Sequence, residues 1–170
     1  MTIAFYVAAA VALIATFLVI SRRSALHALL YLVTSLLAIA VVFFLLGASF
    51  AAALEVIIYA GAVMVLFLFV VMMLNLREWE QEHRPHLTAV DWLGPGLLVA
   101  VLLCEMVVML TAGLPAASGA HPVGPKEVGI VLFGPYLLTV ELASMLLLAG
   151  LVGAWHLGRP EVARTAEESA

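Results

Sequence analysis

Residues 54–74, LEVIIYAGAVMVLFLFVVMML, form an uninterrupted apolar run that contains one acid and no basic residue. A hydrocarbon core about 30 Å thick needs roughly 20 helical residues to cross it, and this run supplies them. Within lipid the backbone must satisfy its own hydrogen bonds, which leaves helices or closed barrels. The runs are continuous, without the two-residue alternation of a barrel strand, so helix is the reading. Four more runs of this kind give spans at about 2–20, 26–47, 52–74, 92–113 and 130–156. The expectation is an all-α integral membrane protein: a five-helix membrane domain over 1–157 and a short cytoplasmic tail over 158–170. Composition agrees, since 66% of the 170 residues are hydrophobic and 11% charged. A soluble core of that length could not hide so much apolar surface, so the solvent is lipid.

Orientation follows from where the basic residues fall. Arg22, Arg23, Arg77, Arg84, Arg159 and Arg164 lie in the loop after the first span, the loop at 75–91 and the tail. With five spans these regions share one side, and the positive-inside rule makes that side cytoplasmic. The N-terminus is then outside and the C-terminus inside. Arg22–Arg23 follow the first apolar stretch and none precedes it, the pattern of a retained span and not of a cleaved signal. The outer loop at 111–129 is rich in Gly, Pro and Ala and is expected to be irregular. Gly134–Pro135 sits where the last span begins or bends, so its regular part is expected to start near 135.

Three acids lie inside the spans: Glu55, Glu105 and Glu141. An intramembrane carboxyl costs a few kcal/mol or more and is a functional candidate for that reason. The plain alternative is a protonated or hydrogen-bonded carboxyl that pins one helix to a neighbour. Glu55 has the strongest case. Tyr59, four residues on, shares a helix face with it and adds a second proton-capable group. Gly61 follows and leaves the backbone freer to change pitch. Glu141 has Ser144 one turn on and Tyr136 near the helix start. Glu105, near mid-membrane, has no polar residue three or four positions away.

None of the three acids has a basic partner within a span, so each is neutral, hydrated or paired with another chain. Small residues spaced for close packing, Ala8/Ala12 and Ala149/Gly153, suggest surfaces for other helices. These features favour a subunit of a larger membrane complex, surrounded by lipid and helices and not by nucleic acid. The single cysteine, Cys104, reads as a small buried hydrophobe. Of the five histidines only His27 and His156 lie near helix ends, a poor basis for a membrane haem. His83 and His86, in EHRPH, lack a clear third ligand for a metal.

The stretch ALHALLYLVTSLLAIAVVFFLLGASFAAALEVIIYAGAVMVLFLFVVMML resembles the second and third helices of the subunit J family of bacterial respiratory complex I. The mitochondrial counterpart of that family is NADH dehydrogenase subunit 6. LFGPYLLTVELASMLLLAGLVGAWHLGR is similar to the family's last helix, whereas the fourth span matches poorly. The resemblance implies a membrane subunit of the proton-translocating NADH:quinone oxidoreductase of the bacterial cytoplasmic (inner) membrane. It implies no cofactor in this chain, with FMN, iron–sulfur clusters and quinone held by other subunits. It also implies partners: the quinone-site subunit, small membrane subunits and antiporter-like pumps. The family's third helix is associated with a π-bulge after the tyrosine, here around Tyr59–Val63. On this sequence Glu55 and Tyr59 would belong to a hydrated acidic path, with Glu141 and, less directly, Glu105. Gly61 would permit the bulge, and Val65 and Phe69 would open or close a water path by dewetting.

The leading expectation is therefore a non-catalytic coupling subunit with a conformational switch in its third helix. The alternatives are the equivalent subunit of a membrane-bound hydrogenase-type complex, a purely structural helix-packing subunit, and an independent small transporter. The missing internal repeat argues against the last.

Overall fold

The computed structural model describes residues 2–22, 24–73, 89–111 and 123–158. Every regular element among them is helical, and five helices are long and apolar enough to cross a membrane. They form two units, Met1–Gly124 and Pro125–Ala170.

The first unit holds α1 (Thr2–Ser21), α2 (Ala25–Leu45), α3 (Ser49–Met73) and α4 (Ala89–Thr111). Its centre is the α1–α2 pair. Ala8, Val11 and Ala15 are buried on α1, three and four residues apart, which places them on one face. On α2 the buried set is Tyr31, Thr34, Ser35, Ala38 and Ala40. Small side chains let the backbones approach, and hydroxyls then bind them. The Thr16 and Ser35 hydroxyls stand 2.8 Å apart, and each reaches the Ala12 carbonyl, at 2.8 and 3.2 Å. Ala12, expected to meet another helix, meets α2 of its own chain. Small-residue spacing marks close packing but does not name the partner.

α2 turns into α3 through Leu46, Gly47 and Ala48. Gly47 has φ 85°, a conformation costly for any residue with a Cβ. The Gly47 N–H donates to the Phe44 carbonyl at 3.0 Å and the Ala48 N–H to the Phe43 carbonyl at 3.0 Å. This is the Schellman pattern, which satisfies carbonyls a helix end leaves open. So short a turn makes α2 and α3 antiparallel neighbours.

α4 packs on α1 and α2 through Leu98, Val101 and Leu102, against Val11 and Ala38. Near its start, Gly94 lies against Tyr31, where a Cβ would strike the Tyr31 hydroxyl. Tyr31 is 1% exposed, and Arg22 closes over it. The Arg22 Nη2 donates to the Tyr31 hydroxyl at 3.2 Å, with the guanidinium carbon 5.3 Å from the ring centre.

The second unit holds α5 (Pro125–Leu132) and α6 (Leu137–Leu157). Proline suits a first helical position, and it opens α5 inside the outer loop expected to be irregular. The fifth span begins at Leu137, close to the expected start of its regular part near 135, and α5 runs through 130 to Leu132. Pro135 has no N–H to donate, so the ladder widens there: Tyr136 N–H reaches back five residues to Val131 O at 3.2 Å. A Cβ on Gly134 would lie 2.7 Å from the Ile130 carbonyl oxygen, too close for any residue but glycine. The loop at 75–88, with His83 and His86, and the tail from 159 onward lie outside the described residues, as does His121.

Candidate functional site

The third span is not one uniform helix. It starts as α-helix at Ser49–Leu54, becomes π-helical over Glu55–Val63, and returns to α-helix at Met64–Met73. The two junctions show the change directly. Glu55 N–H still donates four residues back, to Ala51 O, whereas Met64 N–H donates five back, to Tyr59 O. π-Helical backbone is rare and usually confined to a single turn. Nine residues of it begin at the acid itself, one turn before the Tyr59–Val63 stretch expected.

Gly61 explains how the wide turn closes. A Cβ there would lie 3.2 Å from the carbonyl oxygen of Val56, five residues earlier. That carbonyl is the one a π-turn bond engages. A larger residue would be tight there, and the Val56 carbonyl would have to give by a few tenths of an ångström.

Glu55 is half-buried and Tyr59 is 53% exposed. Among the described residues neither side chain makes a hydrogen bond. Their spacing keeps them on one side of the helix, because a π turn puts the residue stacked over Glu55 between Tyr59 and Ala60. Val65 and Phe69 follow in the regular segment, 63% and 58% exposed. Within the chain α3 packs on α2, burying Ala52 and Met64 and leaving most of its remaining surface uncovered. The arrangement offers a carboxyl and a phenol, both capable of holding or passing a proton, on π-helical backbone.

The other two acids lie on other helices. Glu105 lies on the inward face of α4, in step with Leu98, Leu102 and Met109, and both its carboxyl oxygens are buried without a hydrogen-bond partner. Glu141 is exposed on α6 in the second unit. The Ser144 hydroxyl donates to the Glu141 backbone carbonyl at 2.7 Å, so its proton is not spent on the carboxyl. Cys104 is exposed and not buried. A run of backbone contact cannot reveal such facing, which depends on the neighbours a helix acquires.

Two clusters escaped the reading by sequence. One is the Thr16–Ser35 hydroxyl pair; the other is Arg22 on Tyr31, beside His27 packed edge-on against Trp92 with ring centres 6.5 Å apart. Tyr31, Thr34 and Ser35 recur at helical spacing on α2, and that polar stripe was the available signal.

The sequence profile of NADH-ubiquinone/plastoquinone oxidoreductase chain 6 matches residues 5–157. The chain is similar to NADH-quinone oxidoreductase subunit J of Pseudomonas aeruginosa, 58% identical over 164 residues covering 95% of this chain and 98% of that one. It is similar to the subunit of the same name in Escherichia coli, 55% identical over 163 residues, 95% and 88% of the two chains. A relative of that name in Buchnera aphidicola is 46% identical over 160 residues, 94% and 98% of the two.

Proposed function

The chain belongs to the NADH-ubiquinone/plastoquinone oxidoreductase chain 6 family, and from that premise we propose that it couples quinone reduction to proton translocation through a pitch change in α3. It is a multi-pass membrane subunit of an NADH:quinone oxidoreductase and works among the other subunits of that complex. In this reading it carries no redox centre: FMN, iron–sulfur clusters and quinone sit in other subunits, and the membrane is the bacterial cytoplasmic one.

The observation that carries the reading is the π-helical stretch at Glu55–Val63, on the residues whose chemistry suits proton transfer. A π-helix is a wide, less regular coil that relaxes to α-helix if one residue is drawn out of the turn. Drawing one out rotates everything beyond it by about 100°, one residue's share of an α-helical turn. Val65 and Phe69 lie beyond it. The rotation would swing their apolar side chains across the path beside Glu55 and Tyr59, wetting it in one state and drying it in the other. Glu55 and Tyr59 then receive and pass protons, Gly61 permits the wide state, and Glu141 offers a further proton-holding carboxyl on α6. Neighbouring subunits complete the path's other wall, since α3 leaves that side uncovered.

Gly61→Val tests this. The Cβ would press on the Val56 carbonyl and disfavour the π state. The complex should assemble, with quinone reduction and pumping slowed together by roughly tenfold, the effect of about 1.4 kcal/mol on a step. Normal pumping by correctly assembled Gly61→Val complex would defeat the proposal. The purely structural reading makes the opposite forecast. It requires Glu55→Gln and Tyr59→Phe to alter stability alone.

A further inference from the structure

Glu105 presents a problem that the α3 site leaves untouched. Both its carboxyl oxygens are buried, and neither has a hydrogen-bond partner. Buried polar atoms left unsatisfied are rare and call for a cause. The face of α4 that bears Glu105 is turned to α1 and α2, so its oxygens are covered by helices of the same unit. Water is a solvating group small enough to enter between them.

The interior of the first unit is graded in polarity along one line. At one end Arg22 caps the Tyr31 hydroxyl, opposite Gly94. One turn further along α2 comes the hydroxyl pair Ser35–Thr16, with the Ala12 carbonyl. These hydroxyls retain lone pairs, because each oxygen has two and accepts at most one hydrogen bond here. A turn beyond lies a thin apolar layer of Val11, Ala38 and Leu102. Glu105 follows one turn past Leu102. Gly94 lies level with Tyr31 and Leu102 level with Ala38, so α2 and α4 run in the same direction. At 1.5 Å per residue, the distance along the helices from Gly94 to Glu105 is about 16 Å.

We propose that water enters between α1, α2 and α4 as a spur that opens at the Arg22–Tyr31 end and terminates on Glu105. The Val11–Ala38–Leu102 layer is its gate. An apolar constriction one turn deep dries when narrow and wets when its walls part slightly. Ala38, fully buried and small, is the residue whose size sets that width. The ligands of this site are water and the proton it delivers to or takes from the Glu105 carboxyl. The spur lies wholly within the first unit and needs no change of pitch in α3, so it stands or falls apart from the coupling reading.

The test is cysteine labelling in the assembled complex in native membrane vesicles, after Cys104→Ala removes the native thiol. Cysteine is placed singly at Ser24, Ser35, Ala38 and Glu105. Each variant is treated from either face with a small charged thiol reagent, and labelling is read as the mass shift of this subunit. Such reagents react with thiolates in water and not with thiols sealed in hydrocarbon. Glu105→Cys and Ala38→Cys are expected to label from the same face as Ser24→Cys, more slowly than Ser35→Cys. Adding Ala38→Leu should slow labelling of Glu105→Cys by roughly tenfold or more while sparing Ser35→Cys, because the plug lies between them. If Ser24→Cys labels while Ala38→Cys and Glu105→Cys stay inert, the spur does not exist. If the leucine leaves labelling at 105 unchanged, water arrives by another route and the gate is wrong. The cysteine replacements add little bulk, so the test survives if Ala38→Leu fails to assemble.

Discussion

Single atoms decide several features of this protein. At Gly61 a missing Cβ leaves the Val56 carbonyl room for a wide turn, and at Gly94 a missing Cβ leaves room for the Tyr31 hydroxyl. The second yields a prediction separate from coupling. Gly94→Ala should push Tyr31 off its seat, loosen Arg22 and destabilise the packing of α4 by about 1–3 kcal/mol, the usual range for overpacking. Removing the hydroxyl relieves the closest clash. The double variant Gly94→Ala/Tyr31→Phe should therefore unfold at a higher temperature than Gly94→Ala alone in a thermal scan of the purified complex. An unchanged or lower temperature would mean that the clash is absorbed elsewhere. At this scale the sequence was partly readable. Glu55, Tyr59 and Gly61 stand out because an acid, a phenol and a glycine are conspicuous in an apolar run. Gly94 was silent, because the residue that needs its space is sixty-three positions away along the chain.

Helices form here because apolar runs leave the backbone no other partner than itself, and they end where that rule is relieved. The α2–α3 turn is the tightest such end. Its left-handed Gly47 closes two carbonyls of α2, and α3 begins two residues later. Gly47→Ala should cost about 1 kcal/mol, the penalty of a Cβ at positive φ. It should show as earlier loss of this subunit from the complex on heating, with the quinone reductase rate unchanged before dissociation. A rate that falls ahead of dissociation would instead tie this turn to the working of α3. α5 ends and α6 begins differently, through a proline that opens one wide turn while the flanking amides stay bonded. Dipeptide chemistry announced a break at Gly134–Pro135. It did not announce that a helix precedes it, because Pro125 reads equally as the start of a helix or as part of a loop.

Taken as a whole, the molecule is built to be enclosed by others. α6 buries none of its residues within its own unit, and α3 covers little more than the strip that meets α2. Lipid and partner helices are equally apolar, so this surface says that contacts are available without naming them. Both α3 and α6 therefore depend on other helices or lipid to cover them. Purified alone and reconstituted into vesicles, it should not move protons under an imposed pH gradient above the rate of empty vesicles. Specific, Glu55-dependent proton flux from the isolated chain would make it an independent transporter and remove the need for partners.

Class, span number and the positions of the intramembrane acids were determined by the sequence alone, because hydrocarbon imposes length and apolarity residue by residue and makes every charge an exception. Facing was decided only in the tertiary structure. The sequence could not tell that Ala12 serves α2 of its own chain, that Glu105 points inward, or that Glu55 opens a π-helix. Each of these depends on which helix lies alongside and how closely, and a helix apolar on all sides carries no mark of its neighbour.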